Sequence, residues 1–359
     1  MAEIRIENKS NERILYADIL RTFTIYAVLI IHICGVRWYS TIGTSEWYVL
    51  NTFMTMFRWC IPVFFMLSGI IILDPKYNLT FKKLYTKTLP RLIIALIFWA
   101  IVYRTLSPIV SMLLQVKEVT SDDWKKIYLD ILFGTPWHHL WFMYAIISIY
   151  ILSPLIRVFT ANAEKKHYIY FLILYLIFGA VIPKIDAAYN LHISFGINEL
   201  YSYTGYFIAG YFFSKYDLTS IQKKSLYTAG ICIMIWMLSW STYTAVTEHT
   251  LSTHYFENIS PLTMIVAYAV FVFAKNFINS NTGIQKLKNN KYITLLANCS
   301  LGIYLVHDLF NVLLSLLNIN TGTFPAIISV PILALFVYLC SLSVVLIIKK
   351  IPVLNKWII

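Results

Sequence analysis

From Ile14 to the end of the chain, long apolar stretches follow one another with only short polar breaks between them. A helix of about 20 residues crosses the roughly 30 Å hydrocarbon core of a bilayer. Inside that core each backbone N–H and C=O must be satisfied within the protein, and a helix does this segment by segment. Ten such spans are expected, at 14–36, 48–73, 89–112, 137–156, 168–183, 198–214, 226–246, 260–277, 293–316 and 325–349. The expected fold class is therefore all-α: a polytopic membrane helical bundle, with one membrane domain over 14–349 between an N-terminal segment, 1–13, and a tail, 350–359.

Composition fits that solvent. Hydrophobic residues make up 59% of the chain and charged ones 13%, against roughly one-quarter charged in soluble domains. The net charge of +12 does not point to nucleic acid, because Lys and Arg lie in the breaks between spans rather than on one solvated face. Five cysteines, Cys34, Cys60, Cys232, Cys299 and Cys340, are scattered and include no C-x-x-C pair. Neither a disulfide framework nor a zinc site is indicated. The first span carries Asp18, Arg21 and His32 and has no small-residue cleavage pattern behind it, so it reads as a retained helix. In the longest break, Ser121, Asp122 and Asp123 resemble a helix start, and Trp124, Ile127, Tyr128 and Ile131 recur at helical spacing. A helix lying flat on the membrane is expected there.

Basic residues alternate in density from break to break. One side has Arg5, Lys9 and Arg13; Lys76, Lys82, Lys83 and Lys87; Arg157, Lys165 and Lys166; and comparable groups up to Lys349, Lys350 and Lys356. The other has only Arg37, Lys117, Lys125, Lys126 and Lys184. Since cytoplasmic loops carry the Lys and Arg excess, both termini are expected in the cytoplasm.

An ionisable group near the bilayer centre costs at least about 2.5 kcal/mol, so such residues face the bundle interior and mark sites or pathways. Arg21 and His32 are eleven residues apart, close to three turns, which puts them on nearly one face about 16 Å apart along the axis. Arg21 falls in the cytoplasmic half and His32 near the outer boundary. Asp18, one turn before Arg21, is expected to hold its guanidinium. Two readings are open at this level: a structural ion pair with a hydrogen-bonded histidine, or a functional pathway. Arg58, in the second span, is either a site residue or a structural partner of Asp18 or Asp308. Ser68 and Gly69 read as a close-packing pair. Lys82, Lys83, Lys87 and Arg91 form the densest basic stretch, suited either to phosphates or to anionic lipid. His138 and His139 invite a metal, but neighbours on a helix point about 100° apart and no third ligand lies at metal spacing, so no metal is expected.

Four blocks then occur in order along the chain: DILRTFTIYAVLIIH from Asp18 to His32; Arg58 followed by PVFFMLSG, Pro62 to Gly69; HLWFMYA from His139, with IYILSPLI behind it; and SLGIYLVH from Ser300 to His307. In these the chain resembles the acyltransferase-3 family of integral-membrane O-acyltransferases, most nearly the branch that acetylates surface polysaccharides such as enterobacterial common antigen.

The resemblance implies transfer of an acyl group, usually acetyl, from cytoplasmic acetyl-coenzyme A to a hydroxyl of an envelope glycan or lipid-linked saccharide, at a bacterial inner membrane. His32 becomes the catalytic base or a transient acyl carrier, with Arg21 a catalytic and donor-binding residue beside the route of the donor, and Arg58 near the same cavity, binding the donor's arm or polarising the thioester carbonyl. A neutral imidazole is the usual general base at physiological pH. Lys82, Lys83, Lys87 and Arg91 become a dock for the coenzyme A phosphates, although the family commonly has arginines where this chain has lysines and Pro90. His139, Trp141, Tyr304 and His307 become acceptor-side residues, with Asp18, Ser68 and Asp308 in support. Two other classes compete: a carrier or exporter of lipid-linked saccharides, and a non-catalytic partner in an envelope assembly.

Overall fold

The computed structural model describes residues 13–77, 79–113, 137–193, 202–249 and 257–359, together with positions 120, 122, 125, 129 and 251. Of the expected surface helix around 121–131, only Asp122, Lys125 and Leu129 are described, each helical; the rest lies outside the residues described. All regular structure among the described residues is helical. Among the described residues, nine helices are long and apolar enough to cross a membrane. They correspond to nine of the ten expected spans. The other, 198–214, is represented by a 12-residue helix, Thr204–Lys215, whose approach lies outside the described residues.

That short helix is buried along most of its length and packs most closely on Cys60–Ile72. Glycines set the distance between them. A Cβ at Gly69 would overlap the Phe207 carbonyl, and one at Gly210 would overlap the Met66 backbone. Small residues let backbones approach in lipid, where packing rather than hydrophobicity drives association.

The first helix, Leu15–Trp38, is the hub of the bundle. It touches Ser45–Phe57, Cys60–Ile72, Pro261–Ser280, Lys291–Leu316 and Ala326–Lys350. Its buried residues therefore lie on every side, from Leu15 through Ile25 and Leu29 to Trp38.

Three prolines shape the spans. Pro62 cannot donate to the carbonyl four residues back, that of Arg58, and the second span breaks there into Ser45–Phe57 and Cys60–Ile72. Arg58 thus sits at a mid-span break. Pro154 lies inside Trp141–Asn162, and the Ser153 hydroxyl donates to the Tyr150 carbonyl that Pro154 leaves without its usual donor, at 2.7 Å. Ahead of Pro90, residues Leu84–Thr88 form a π-helical turn at the start of the third span.

At the basic end, Arg157 closes the exit of Cys60–Ile72, donating to the carbonyls of Ile72 (2.5 Å), Asp74 (3.2 Å) and Tyr77 (2.8 Å). Segment 350–359 does not trail away as a tail. It forms a short helix, Pro352–Trp357, and folds back so that Ile358 and Ile359 are buried. The Trp99 indole donates to the Ile358 carbonyl at 2.9 Å, and the Arg91 guanidinium to the Asn355 and Ile359 carbonyls.

Candidate active site

A cavity of about 520 Å³ opens at the end of the bundle opposite the basic stretches. Its wall includes His32 and Gly35 of the first helix, Arg58 at the break, Trp137 and His138, and Asp308 and Asn311 of Lys291–Leu316. Beneath it four imidazoles meet. The His32 ring centroid is 4.8 Å from that of His307, 5.5 Å from that of His138 and 6.2 Å from that of His139, and the His139 and His307 centroids are 4.8 Å apart.

Local structure explains how each ring arrives. His32 projects from the first helix, Leu15–Trp38, to the cavity wall. His307 and Asp308 are consecutive, yet both face the cluster because the site wraps around one side of their helix. His307 Nδ1 lies 2.6 Å from the Tyr304 carbonyl, one turn back. That contact fixes Nδ1 as the protonated nitrogen and directs the buried Nε2, which has no protein partner among the described residues, towards the other rings. His138 and His139 occupy a turn at 137–140, before the helix that begins at Trp141. The helical spacing that counted against a shared ligand does not apply in a turn, and both imidazoles approach Asp308: His138 Nε2 at 3.6 Å and His139 Nδ1 at 4.0 Å.

Asp308 is held from two further sides. The Trp137 indole N–H donates to one carboxylate oxygen, and the Asn311 amide donates to the other at 2.8 Å. Among the aromatics on the outer side, Trp137 suits from sequence either an interfacial anchor or a platform for a sugar ring, and Asn311 carries no motif. Its spacing, one turn beyond Asp308 on the same helix, is the only local signal for it.

Arg58 lines the same cavity, its guanidinium 5.6 Å from the Trp38 ring centre. Tyr304 lies under the rings, packed against His139 and Phe142, and its hydroxyl donates to the His139 carbonyl. Trp141 is not brought to the cavity; it packs with Phe142 and Tyr203.

Towards the basic end, a small pocket of about 30 Å³ lies beneath Tyr304, walled by Val28, Phe64, Ser68, Phe142, Ile146, Tyr150, Ser300 and Leu301 among others. A space of that size holds one or two water-sized groups. Tyr150 lies close to Arg21. Ser68 donates to the Phe64 carbonyl at 2.9 Å, as a hydroxyl built into a close helix contact does. Arg21 is 5% exposed, and neither its Nε nor its Nη2 has a hydrogen-bond partner among the described residues. The expected Asp18–Arg21 pair is not formed. Asp18 accepts instead from Arg13 Nε at 2.9 Å, and Arg13 also reaches Asn298. Arg13 lies just ahead of the first helix, where it competes for the carboxylate from the solvated side.

The chain matches the acyltransferase-3 family, described as an acyltransferase domain, over residues 14–349. It belongs to that family. Neither the curated proteins nor the solved structures contain a match to it. In this membrane acyltransferase His32 lines the open cavity, and Arg21 is buried eleven residues earlier on the same helix, near Tyr150 of the small pocket. The basic stretch of this acyltransferase is divided. Lys82 and Lys87 are exposed, Lys83 lies 4.8 Å from the Tyr77 ring centre, and Arg91 is turned to the backbone of 355–359.

Proposed function

We propose that this acyltransferase takes an acetyl group from acetyl-coenzyme A on the cytoplasmic side and transfers it to a hydroxyl of an envelope glycan, of the kind presented by enterobacterial common antigen, on the outer side of a bacterial inner membrane. The observation that carries this reading is the position of His32, on the wall of the open cavity and within the four-imidazole cluster, with Arg21 buried further along the same helix.

A saccharide hydroxyl entering the cavity meets His32 as general base, and a thioester reaching up through the bundle meets it from below. The hydroxyl proton passes to the imidazole as the oxygen attacks the thioester carbonyl; collapse of the adduct expels the coenzyme A thiolate, which the imidazolium reprotonates. Arg58 beside the cavity stabilises the developing oxyanion. Arg21, buried and offering N–H groups that no protein acceptor takes, contacts the polar amide groups of the donor's arm. Lys82 and Lys87, exposed at the basic end, meet its phosphates.

The test is transfer of radiolabel from acetyl-coenzyme A to glycan by membranes carrying the protein, compared with His32→Ala at equal folded protein. Loss of label incorporation by 10²-fold or more is expected. Retained transfer removes His32 from the mechanism, and saccharide export without an acylated product replaces the enzyme reading with that of a carrier.

A further inference from the structure

The open cavity holds more ligand chemistry than a single general base requires. Of the side chains that meet at its floor, three have the spacing of a metal site. His138, His139 and Asp308 each offer one ligand atom, and these atoms all lie within 4.8 Å of one another. With metal–ligand distances of about 2.0–2.2 Å, the ligand atoms of a tetrahedral site are roughly 3.3–3.5 Å apart. His138 Nε2 is already 3.6 Å from one Asp308 oxygen and His139 Nδ1 4.0 Å from the other. His138, with its side chain 57% exposed, has room to turn and close the remaining gap.

Two further observations point to a ligand that the chain itself does not supply. The His139 side chain is fully buried, yet neither of its ring nitrogens has a hydrogen-bond partner among the described residues. Buried polar groups are nearly always satisfied, so an exception calls for an explanation. The Asp308 carboxylate, in turn, is fixed by N–H donors from Trp137 and Asn311, the outer support that metal-bound carboxylates have.

We infer that His138, His139 and Asp308 bind one divalent transition-metal ion of the zinc type, with its fourth position open to the cavity beside His32. Two imidazoles, one carboxylate and an open position make the donor set of zinc sites that act on an oxygen ligand, whereas structural sites are closed by four protein ligands. The imidazoles select against magnesium and calcium, which prefer oxygen. The fourth ligand is an oxygen, of water or of a hydroxyl in the cavity. The cation of Arg58 on the same wall favours that oxygen in its anionic form.

Metal binding is read directly and does not depend on acyl transfer. The full chain is purified in detergent with a histidine-free tag, stripped with chelator, and titrated with zinc, measured by elemental analysis, and with cobalt(II), measured by visible absorption. About one zinc per chain and the visible bands of four-coordinate cobalt are expected. His138→Ala, at an exposed position, and Asp308→Asn should each weaken binding at least about tenfold and remove the cobalt bands. His167→Ala, a histidine at the basic end of the bundle, should leave both in place. Less than a tenth of an equivalent bound by the wild-type chain overturns the site, and so does undiminished binding in His138→Ala.

Discussion

Arg13, and not Arg21, holds the Asp18 carboxylate, with its Nε 2.9 Å from Oδ2. The consequence falls on Arg21, one turn further into the membrane. It is a buried cation whose Nε and Nη2 find no partner among the described residues. An unpaired buried charge costs stability, and replacing it with an apolar side chain of similar size relieves that cost. Arg21→Met is therefore expected to raise the thermal midpoint in detergent, by the equivalent of about 1–3 kcal/mol, while lowering acyl transfer. A stability loss in Arg21→Met would mean that the guanidinium is structural.

Arg157 makes the opposite case, a cation whose hydrogen bonds hold the fold. Its two Nη atoms serve three carbonyls, those of Ile72, Asp74 and Tyr77, at the end of Cys60–Ile72. Bonds from a charged donor to backbone oxygens are worth more than neutral ones, and the carbonyls left behind would be partly buried. Arg157→Ala should lower stability by at least about 2 kcal/mol. Arg157→Lys should recover only part of that, because an ammonium on a single stem cannot span the fork. Thermal melts of the three proteins in one detergent decide it.

The bundle and the first-helix pair were legible in the sequence because both rest on local spacing. A run of about 20 apolar residues needs no partner to be recognised, and Arg21 and His32 share a face by helical geometry alone. What stayed hidden depends on contacts between distant segments. Trp137 and Asp308 meet across 171 residues. His138, His139 and Asp308 come together because a turn stands where a helix was expected and because Asp308 arrives from another span. The folding back of 350–359 onto Arg91 and Trp99 is written in backbone carbonyls, which leave no side-chain signal. Helical spacing points Asp18 to Arg21, whereas Arg13, ahead of the helix, takes the carboxylate.

Glycines separate packing from mere presence in a helix. A Cβ at Gly69 would overlap the Phe207 carbonyl, while a Cβ at Gly35, on the cavity wall, meets nothing within 4 Å. Backbone against backbone cannot be relieved by a rotamer change. Gly69→Ala should destabilise the chain by about 1–3 kcal/mol by forcing Thr204–Lys215 away from Cys60–Ile72, and Gly35→Ala should leave stability unchanged or slightly improved. Equal melting temperatures for the two variants would refute this account of the helix contact.

His32 and His307, from two different helices, have ring centroids 4.8 Å apart. The Tyr304 carbonyl fixes the His307 tautomer and leaves Nε2 as the nitrogen presented to the cluster. If the two rings act as one unit in moving the acceptor proton, removing either disables the other. Each single alanine variant should then lose about 10²–10⁴ of the transfer rate, and the double variant should lose hardly more than the slower single, since residues that act together are strongly non-additive. If instead His307 only packs beneath the site, the effect of His307→Ala will multiply with that of His32→Ala and will appear together with lowered stability. Rates measured at saturating donor, with the thermal midpoint of each variant recorded alongside, separate the two outcomes. His307→Gln sharpens the comparison: its amide can donate to the Tyr304 carbonyl but cannot take up a proton, so it should retain the fold of the wild type and the transfer rate of the alanine variant.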